Sequence, residues 1–261
     1  MKNKIITLFS SSSGNCTLVT DGDTNILVDA GVSANRVVKA LQAINLDICE
    51  IDGILITHEH SDHIKGVASL STKYNIPVYA NTKTFMSTAD LYGCIYERNF
   101  KQIEAGKPFT VRGMEVYGFS TPHDSADSMG YTFLSDGGYM SVATDTGHIS
   151  KSMLTNLSKS EIVLIESNHD VKMLKEGRYP YHLKKRILSD SGHLSNDNCA
   201  WLATQLAIWG TKRILLGHLS EQNNTPELAY NTAEKMLAEN GMVIGRDVLL
   251  KVALKSGITE I

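Results

Sequence analysis

The chain has 261 residues, 42% of them hydrophobic, and its formal net charge at pH 7 is −3. This length and composition allow a large buried core, and the slightly acidic balance excludes the strongly basic class of nucleic-acid-binding proteins. No stretch is long and apolar enough to span a membrane, and the apolar run 5–9 is too short for the core of a signal peptide.

The first half of the chain alternates between short apolar runs, which predict strands, and segments with the spacing of amphipathic helices. We predict strands at 4–9, 16–20, 25–29, 51–57 and 76–80. Turns are expected at 10–15 and 21–23, where serine, glycine, asparagine and aspartate cluster. Helices are expected near 33–43, from Asp62 to Tyr74, and near 82–92.

The second half follows a similar plan, although the two halves are not similar enough in sequence to form a repeat. Residues 108–119 and 130–144 predict two hairpins, which turn at 112–113 and 136–138, and a strand is expected at 161–166. A strand at 247–254 is expected to close the chain. Because no proline-rich or low-complexity linker divides the sequence, we expect one domain that spans residues 1–261.

Two helices are expected in the last third of the chain. The first follows Ser195, a natural N-cap, and is expected to bury one face. That face consists of Cys199, Leu202, Leu206 and Trp209. The second begins at 225–227, where a proline occupies the first turn.

The segment H-E-H-S-D-H at residues 58–63 carries the strongest functional signal. His58 and His60 are two residues apart in an extended stretch, so their side chains point the same way and can bind one metal ion. Asp62 and His63 follow at the start of the predicted helix and face a second ion. Because imidazole and carboxylate ligands without thiolate suit zinc, manganese or iron, the motif predicts two divalent ions without fixing the metal.

This motif lies where a buried strand meets a helix, and open α/β sheets build their sites at such strand ends. Four further motifs, each at the end of a predicted strand, complete a pattern that resembles the metallo-β-lactamase-fold hydrolases. In chain order they are centred on Asp29, His123, Asp145 and His218. The resemblance implies an α/β fold, a four-layer αβ/βα sandwich.

The resemblance also implies how the ligands divide between the ions. One ion would take His58, His60 and His123, and the other would take Asp62, His63 and His218, with Asp145 as the bridge. Asp29 would organise the loop without touching metal. Paired ions of this kind lie roughly 3.5–4 Å apart and hold a hydroxide that attacks an acyl or phosphoryl centre.

Two residues exclude subfamilies of this family. Members that destroy β-lactams usually carry cysteine where this chain has Asp145, so the resemblance does not extend to antibiotic hydrolysis. The oxygen-reducing diiron relatives carry glutamate where this chain has His60, so redox chemistry is not expected either. The expected activity is therefore that of a dinuclear hydrolase, with zinc or manganese as the ions and iron as a further option.

Three features bear on the substrate. Residues 191–195, S-G-H-L-S, resemble the S-G-H-A-S segment of RNase J and the cleavage-factor nucleases, which implies that His193 contacts the scissile phosphate. The basic segment 171–189 contains Lys184, Lys185 and Arg186, and it either binds phosphate or is only a solvated face. Residues 166–170, E-S-N-H-D, follow an apolar strand, which makes Asn168 a candidate substrate contact and His169 a candidate catalytic or supporting residue.

From end to end, the sequence most resembles the YycJ (WalJ) subgroup, whose members are regarded as exonucleases of DNA. The resemblance implies a phosphodiesterase in which Asp62 passes a proton to the leaving oxygen and DNA is the partner. A small-molecule hydrolase remains the alternative: a cyclic-nucleotide phosphodiesterase, thioesterase or lactonase. The interval between Asp145 and His218 is too short for the clamp domain of RNase J. The absence of that domain favours the small-molecule alternative. A metal-bound sensor without turnover is a third possibility, against which the complete ligand set argues.

The cysteines and the absence of a membrane span indicate where the protein acts. Cys16, Cys49, Cys94 and Cys199 include no C-x-x-C pair and predict reduced thiols. We therefore expect a cytoplasmic protein without a membrane partner.

Overall fold

The computed structural model describes residues 2–88 and 95–261. Within these residues, strands form two seven-stranded sheets, ordered β14-β1-β2-β3-β4-β5-β6 and β13-β12-β11-β10-β9-β8-β7. In chain order the strands are β1 (Lys4–Ser11), β2 (Gly14–Thr20), β3 (Asn25–Val28), β4 (Gly53–Leu55), β5 (Val78–Ala80), β6 (Phe100–Gln102), β7 (Pro108–Val111), β8 (Met114–Ser120), β9 (Met129–Ser135), β10 (Gly138–Ala143), β11 (Ile162–Glu166), β12 (Arg213–Gly217), β13 (Leu249–Val252) and β14 (Ser256–Glu260).

The described helices connect the strands and cover the outer faces of the sheets. In chain order they are α1 (Ala34–Ala43), α2 (Ser61–Ile64), α3 (Val67–Tyr74), α4 (Thr82–Met86), α5 (Lys151–Leu157), α6 (Val171–Glu176), α7 (Tyr181–Ile187), α8 (Asn196–Ile208) and α9 (Pro226–Glu239). Two short 3₁₀ helices lie at Ile48–Glu50 and Glu97–Asn99. None of these helices combines the length and apolar character that a bilayer-crossing helix requires.

Three apolar clusters hold the layers together. One contains side chains of both sheets, among them Val28 of the first and Tyr131 and Leu164 of the second, and therefore fills the space between them. A second packs α1 and α3 on the first sheet, and a third packs α8 and α9 on the second. The order is helices, sheet, sheet, helices, which confirms the predicted four-layer αβ/βα sandwich.

Ladder pairing explains where the site lies. Strands β3 and β4 are parallel neighbours in the first sheet, and β10, β11 and β12 are parallel neighbours in the second. The carboxyl ends of parallel strands meet at one edge, so the loops that follow them converge. Three of these loops have a residue with positive φ at their first or second position: Asp29 (61°), Asp145 (56°) and His218 (55°). Non-glycine residues adopt this conformation uncommonly, and it turns the chain sharply at each strand end.

The predicted hairpins, the strand at 161–166 and the helices after Ser195 and Thr225 agree with the structure. Ser195 caps its helix by accepting a hydrogen bond from the Asn198 N–H, and Thr225 does the same for Leu228. The turn expected at 10–15 is narrower, because β1 runs to Ser11 and β2 begins at Gly14.

Several predicted elements were wrong in extent. The helix expected from Asp62 to Tyr74 is broken, since α2 ends at Ile64 and α3 begins at Val67. Gly66 lies at the break, where a Cβ would come within 2.4 Å of the Val32 carbonyl oxygen. The strand expected at 247–254 does not close the chain, because β14 follows it and pairs with β1 of the other sheet.

Two further expectations concern single elements. Trp209 does not lie on the buried face with Cys199 and Leu202, because it follows the last residue of α8 and is half-exposed. The helix expected near 82–92 ends at Met86, and residues 89–92 of that prediction lie outside the described residues.

Candidate metal centre

Three histidines from two loops form the first half of the site. His58 and His60 follow β4, and His123 follows β8. The ring centroids of His58 and His60 lie 4.5 Å apart, and each lies about 5 Å from that of His123, at 5.0 and 5.2 Å. One ligand atom from each histidine falls within 4.8 Å of the other two, a spacing that could hold one metal ion.

The second half consists of two carboxylates and two histidines. His63 Nε2 lies 3.5 Å from Asp62 Oδ2 and 3.3 Å from Asp145 Oδ2, and His218 Nε2 lies 4.0 Å from Asp62 Oδ2. Asp145 also lies within 3.7 Å of His123 Nε2 through Oδ1. Because one carboxylate faces both groups of histidines, the structure brings together all seven side chains that the sequence named as ligands.

Each buried histidine of the site has its Nδ1 engaged and turns Nε2 towards the cluster, where His63 Nε2 also lies 3.1 Å from Asn15 Nδ2. His123 Nδ1 lies 3.0 Å from the Gly192 carbonyl oxygen, and His63 Nδ1 lies 2.7 Å from Asp29 Oδ2. His58 Nδ1 lies 3.0 Å from Thr57 Oγ1, which itself donates to Asp29 Oδ2 at 2.8 Å. Such partners fix the ring orientation and the tautomer of a ligating histidine.

The residues fit divalent metal ions because their free buried atoms point at one another. Among residues 2–88 and 95–261, four of the buried polar atoms without a hydrogen-bond partner belong to this cluster: Nε2 of His58, His123 and His218, and Oδ2 of Asp145. Each buried polar atom that is left unpaired lowers the free energy of unfolding by roughly 1–3 kcal/mol. A cation that binds all four atoms would remove this cost. Nitrogen and oxygen donors of this kind are suited to divalent transition metals.

Glu166, at the end of β11, is the main site residue that the sequence analysis did not single out. Its Oε1 accepts hydrogen bonds from His193 Nδ1 and His218 Nδ1, both at 2.7 Å. Its Oε2 accepts from the backbone N–H groups of Thr146 at 2.9 Å and Leu194 at 3.2 Å. A buried acid ending the apolar run I-V-L-I was the available sequence signal. Because Glu166 already accepts four hydrogen bonds, its role is to orient His193 and His218.

Charges inside the cluster shift the pKa values strongly. Burial acts to raise the pKa of Glu166, but His193 and His218 outweigh it and lower that pKa to about 2. Burial acts to lower the pKa of His218, but Asp145, Asp62 and Glu166 raise it to about 10. The carboxylates are therefore ionised and attract positive charge to this position, which a bound cation would supply.

In contrast to His218, His58 and His123 have lowered pKa values. Burial lowers the pKa of His58 well below its usual value, and neighbouring His63 adds to the shift. Burial likewise lowers the pKa of His123, although Asp145 opposes it. Both rings are therefore neutral at pH 7, the state in which imidazole binds a metal.

A cavity of about 200 Å³ opens beside the cluster. His60, Asp62, Asp145 and His218 form one part of its wall. The remaining wall consists of Ser12, Asn168, Tyr179, Leu183, Arg186, Ile187, His193 and Ser220. His193 therefore faces the same space as the metal-binding side chains, and with Nδ1 bound to Glu166, its Nε2 is free to contact a substrate.

The predicted substrate residues do not all lie at the cavity. Asn168 lines the cavity and donates from Nδ2 to the His218 carbonyl oxygen at 3.0 Å. Arg186 lines it too, with its guanidinium paired to Asp124. Lys184 and Lys185 instead line a groove on the opposite side of α7. His169 is 1% exposed and is absent from the cavity wall, so it lies beneath the site and not in it.

Comparisons with known proteins agree with this geometry. The family model of the metallo-beta-lactamase superfamily matches residues 11–148. Exodeoxyribonuclease YycJ of Bacillus anthracis is 40% identical over 91% of this chain and 90% of its own length. Exodeoxyribonuclease WalJ of Streptococcus pneumoniae is also 40% identical, over 92% of this chain and 90% of its own. Among solved structures, the metallo-beta-lactamase fold protein YhfI of Bacillus subtilis superposes with a TM-score of 0.70 at 15% identity, covering 98% of this chain and 99% of its own.

The fold and the histidine–carboxylate clusters define the class as metal-dependent hydrolases built on the metallo-β-lactamase fold. Within that class, the chain belongs to the YycJ/WalJ family of the metallo-β-lactamase superfamily. The family resemblance seen in the sequence is confirmed. The likeness to YhfI is a likeness of fold alone.

Proposed function

We propose that the protein is a dinuclear metal-dependent phosphodiesterase that acts as an exonuclease on DNA. The observation that carries the proposal is the placement of His193, which lines the cavity, is held by Glu166 at 2.7 Å and lies beside the cluster of buried ligand atoms. The names of the relatives, both exodeoxyribonucleases that match over about nine-tenths of each chain, support DNA as the substrate.

The ligands would divide into two sets. His58, His60 and His123 would hold one ion, and Asp62, His63 and His218 would hold the other, with Asp145 between them. We propose zinc or manganese, with iron as a further option, because nitrogen and oxygen ligands suit all three. When bound, such ions supply Lewis-acid activation of water and stabilise negative charge on the attacked phosphate.

The protein's own groups would bind the phosphate and move the proton. His193 Nε2 would donate to a non-bridging phosphate oxygen, and the Glu166 carboxylate would hold the ring in that orientation. Burial acts to raise the pKa of Asp62, but hydrogen bonds from His218 and His63 lower it far below the usual range. Asp62 therefore starts ionised, so it would accept a proton from the attacking water and then deliver it to the leaving oxygen.

Arg186 and Asn168 complete the proposed substrate contacts. The Arg186 guanidinium lies in the cavity wall but is engaged by Asp124, so a substrate phosphate would compete with that carboxylate for it. Asn168 is buried, and its amide is fixed by the His218 carbonyl. A cytoplasmic location is part of the proposal, supported by the free thiols of Cys16 and Cys199.

The alternative is a small-molecule hydrolase on the same site: a cyclic-nucleotide phosphodiesterase, thioesterase or lactonase. The observation that favours it is the cavity, whose volume of about 200 Å³ suits a small ester, together with the net charge of −3. The salt dependence of substrate binding distinguishes the two functions. Binding of a polyanion weakens steeply as the salt concentration rises, whereas binding of a small neutral ester does not.

The direct test is digestion of end-labelled DNA and RNA by purified protein supplied with manganese or zinc. We expect stepwise shortening of DNA from an end, no activity with chelator, and little or no activity in Asp62→Ala or His60→Ala, both of which should keep the fold. Bis-p-nitrophenyl phosphate serves as a generic phosphodiester. Undiminished DNA digestion by a metal-quantified His60→Ala sample would refute the metal mechanism, and turnover of small esters alone would favour the alternative.

A further inference from the structure

Helix α7 has two faces that meet different surroundings. Leu183, Arg186 and Ile187 line the cavity beside the metal cluster. On the other side, α7 forms one wall of an outer groove of about 600 Å³. The outer groove is lined by Lys175, Tyr181, Lys184, Lys185, Leu188 and Ser189.

The outer groove carries positive charge that no carboxylate of the described residues pairs with. Its lining contains three lysines and no acidic residue. Among the described residues, the ion pairs include none of Lys175, Lys184 and Lys185, whereas Arg186 on the inner face is paired with Asp124. Lys184 Nζ donates to the Lys175 carbonyl oxygen at 2.7 Å, which ties this ammonium group to the end of α6. Unpaired ammonium groups on one surface are suited to a polyanion.

The groove also offers an aromatic surface. The side chain of Tyr181 is 81% exposed, and Leu188 beside it is 43% exposed. Exposed rings flanked by lysines are typical of single-stranded nucleic-acid surfaces, where a base stacks on the ring while the phosphates meet the positive charges. A duplex would not fit this role, because its bases are already stacked on each other.

The groove is joined to the catalytic side through one helix. The His193 N–H donates to the Ile187 carbonyl oxygen at 3.0 Å, so the C-terminal end of α7 and the His193 loop are fixed together. The diameter of a helix with its side chains is about 10–12 Å, which is the thickness that separates the groove from the cavity. Two strands that part at a duplex end could therefore pass on opposite sides of α7.

We propose that the outer groove binds the unpaired complementary strand at a DNA end, with a base stacked on Tyr181 and phosphates on Lys175, Lys184 and Lys185. The strand to be cleaved enters the cavity on the inner face. This inference rests on the proposed nuclease function and adds a second, non-catalytic contact to it. Helix α7 then stands between the two strands and keeps them apart.

The test compares Tyr181→Ala with Tyr181→Phe on three substrates: a forked duplex, a single strand and bis-p-nitrophenyl phosphate. Loss of one stacked base should weaken binding of the forked duplex, measured by fluorescence anisotropy, about tenfold. Its digestion at low substrate concentration should slow in parallel. Tyr181→Phe keeps the ring and should behave as wild type, and the small ester should be turned over equally by all three proteins.

The lysines are tested separately by salt titration of the same binding. Lys184→Ala/Lys185→Ala should flatten the slope of log K against log salt by roughly 0.7 for each phosphate that the groove no longer neutralises. Lys235→Ala, an exposed lysine on α9, is the matched control and should leave the slope unchanged.

The outcomes distinguish this inference from the proposed function. Equal losses on single strand and forked duplex would overturn the assignment to the complementary strand, and no loss on either would overturn the groove itself. If wild-type protein cleaves no DNA, the proposed function fails, and the anisotropy measurements alone then decide whether the groove binds.

Discussion

Glu166 and Asp29 hold the histidines of the site in place from two sides. Glu166 accepts from His193 and His218 at 2.7 Å, and Asp29 accepts from His63 at 2.7 Å. Both carboxylates are buried, so these hydrogen bonds form in a medium where charge interactions are strong. The consequence is that ring orientation is set before any ligand arrives, which is what a preorganised site requires.

The first prediction concerns His193. In His193→Ala, kcat should fall by a factor on the order of 10²–10³, the usual cost of one preorganised donor, with KM little changed. The metal content should stay the same, because Glu166 then still orients His218. The control is His182→Ala, which changes an exposed histidine on α7, and both variants are assayed with bis-p-nitrophenyl phosphate.

His193 also lies near enough to Asp145 and His218 to bind a metal, since their ligand atoms fall within 4.8 Å of one another. Elemental analysis of the variant decides between the two roles. A loss of metal in proportion to the loss of activity would make His193 a ligand and would contradict its role as a phosphate contact.

At the scale of elements, the site depends on how closely the loop after β3 approaches helix α2. Gly31 follows β3, and a Cβ on it would come within 1.5 Å of the Asp62 carbonyl oxygen and 2.2 Å of the Asp62 carbonyl carbon. The Gly31 N–H also donates to the Asn15 carbonyl oxygen at 2.7 Å. Helix α2, which carries Asp62 and His63, is therefore packed directly on the loop that carries Asp29.

The second prediction follows from this contact. Gly31→Ala must displace helix α2, which contains Asp62, so metal content and turnover should fall together and the melting temperature should drop. Gly113→Ala is the matched control, because a Cβ there meets nothing closer than 4.0 Å. Full metal content in Gly31→Ala would contradict this prediction and show that α2 can shift without disturbing the ligands.

The elements also show what sequence patterns can and cannot give. The ligands were predictable because five short motifs each follow an apolar strand pattern, and strand ends meet at one edge. Strand β14 was missed because Ser256–Glu260 is an exposed edge strand with no clean alternation. The break between α2 and α3 was missed because Ile64, Val67 and Leu70 keep helical spacing across Gly66, and only the packing on Val32 explains the interruption.

The basic segment illustrates a different limit. Lys184, Lys185 and Arg186 are adjacent in sequence and were grouped as one possible phosphate site. Because successive residues of a helix point in different directions, α7 turns Arg186 to the cavity and the lysines to the outer groove. The sequence analysis did not predict this helix, so it could not separate the two faces.

At the scale of the whole molecule, both sheets contribute to one core. Leu55 of the first sheet and Leu164 of the second belong to the same buried cluster, and the Tyr131 hydroxyl donates across the interface to the Ile56 carbonyl oxygen at 2.5 Å. We therefore propose that residues 1–261 form a single domain. The site lies at the edge where the two sheets meet. Unfolding of the shared core would therefore also take the site apart.

The third prediction concerns this stability as a function of pH. His169 is buried, and neither of its ring nitrogens has a partner in the part of the chain that the structure describes. Burial lowers its pKa to about 4, although Glu166 opposes the shift. Between the usual value of 6.5 and about 4, the unfolded chain binds a proton at this residue and the folded chain does not. The stability that His169 contributes is therefore complete above pH 6.5 and is lost as the pH falls towards 4, by at most about 1.4 kcal/mol per pH unit.

Urea denaturation of His169→Phe and wild type at a series of pH values between about 4 and 7 measures this effect. As the pH falls from about 7 to 4, the unfolding free energy of wild type should decrease more than that of His169→Phe. Parallel curves would show that His169 does not titrate as described. A large loss of turnover at constant stability would instead support the catalytic role considered from the sequence.

We propose that the seven clustered side chains bind two ions and that both are needed for phosphodiester hydrolysis. Metal-free protein should be titrated with manganese or zinc while bound metal, measured by elemental analysis, and DNA digestion are followed in the same samples. We predict activity that reaches its plateau at two ions per chain, disappears with chelator and returns when metal is restored. Full activity at one ion per chain, or DNA digestion that survives complete removal of metal, would contradict the account.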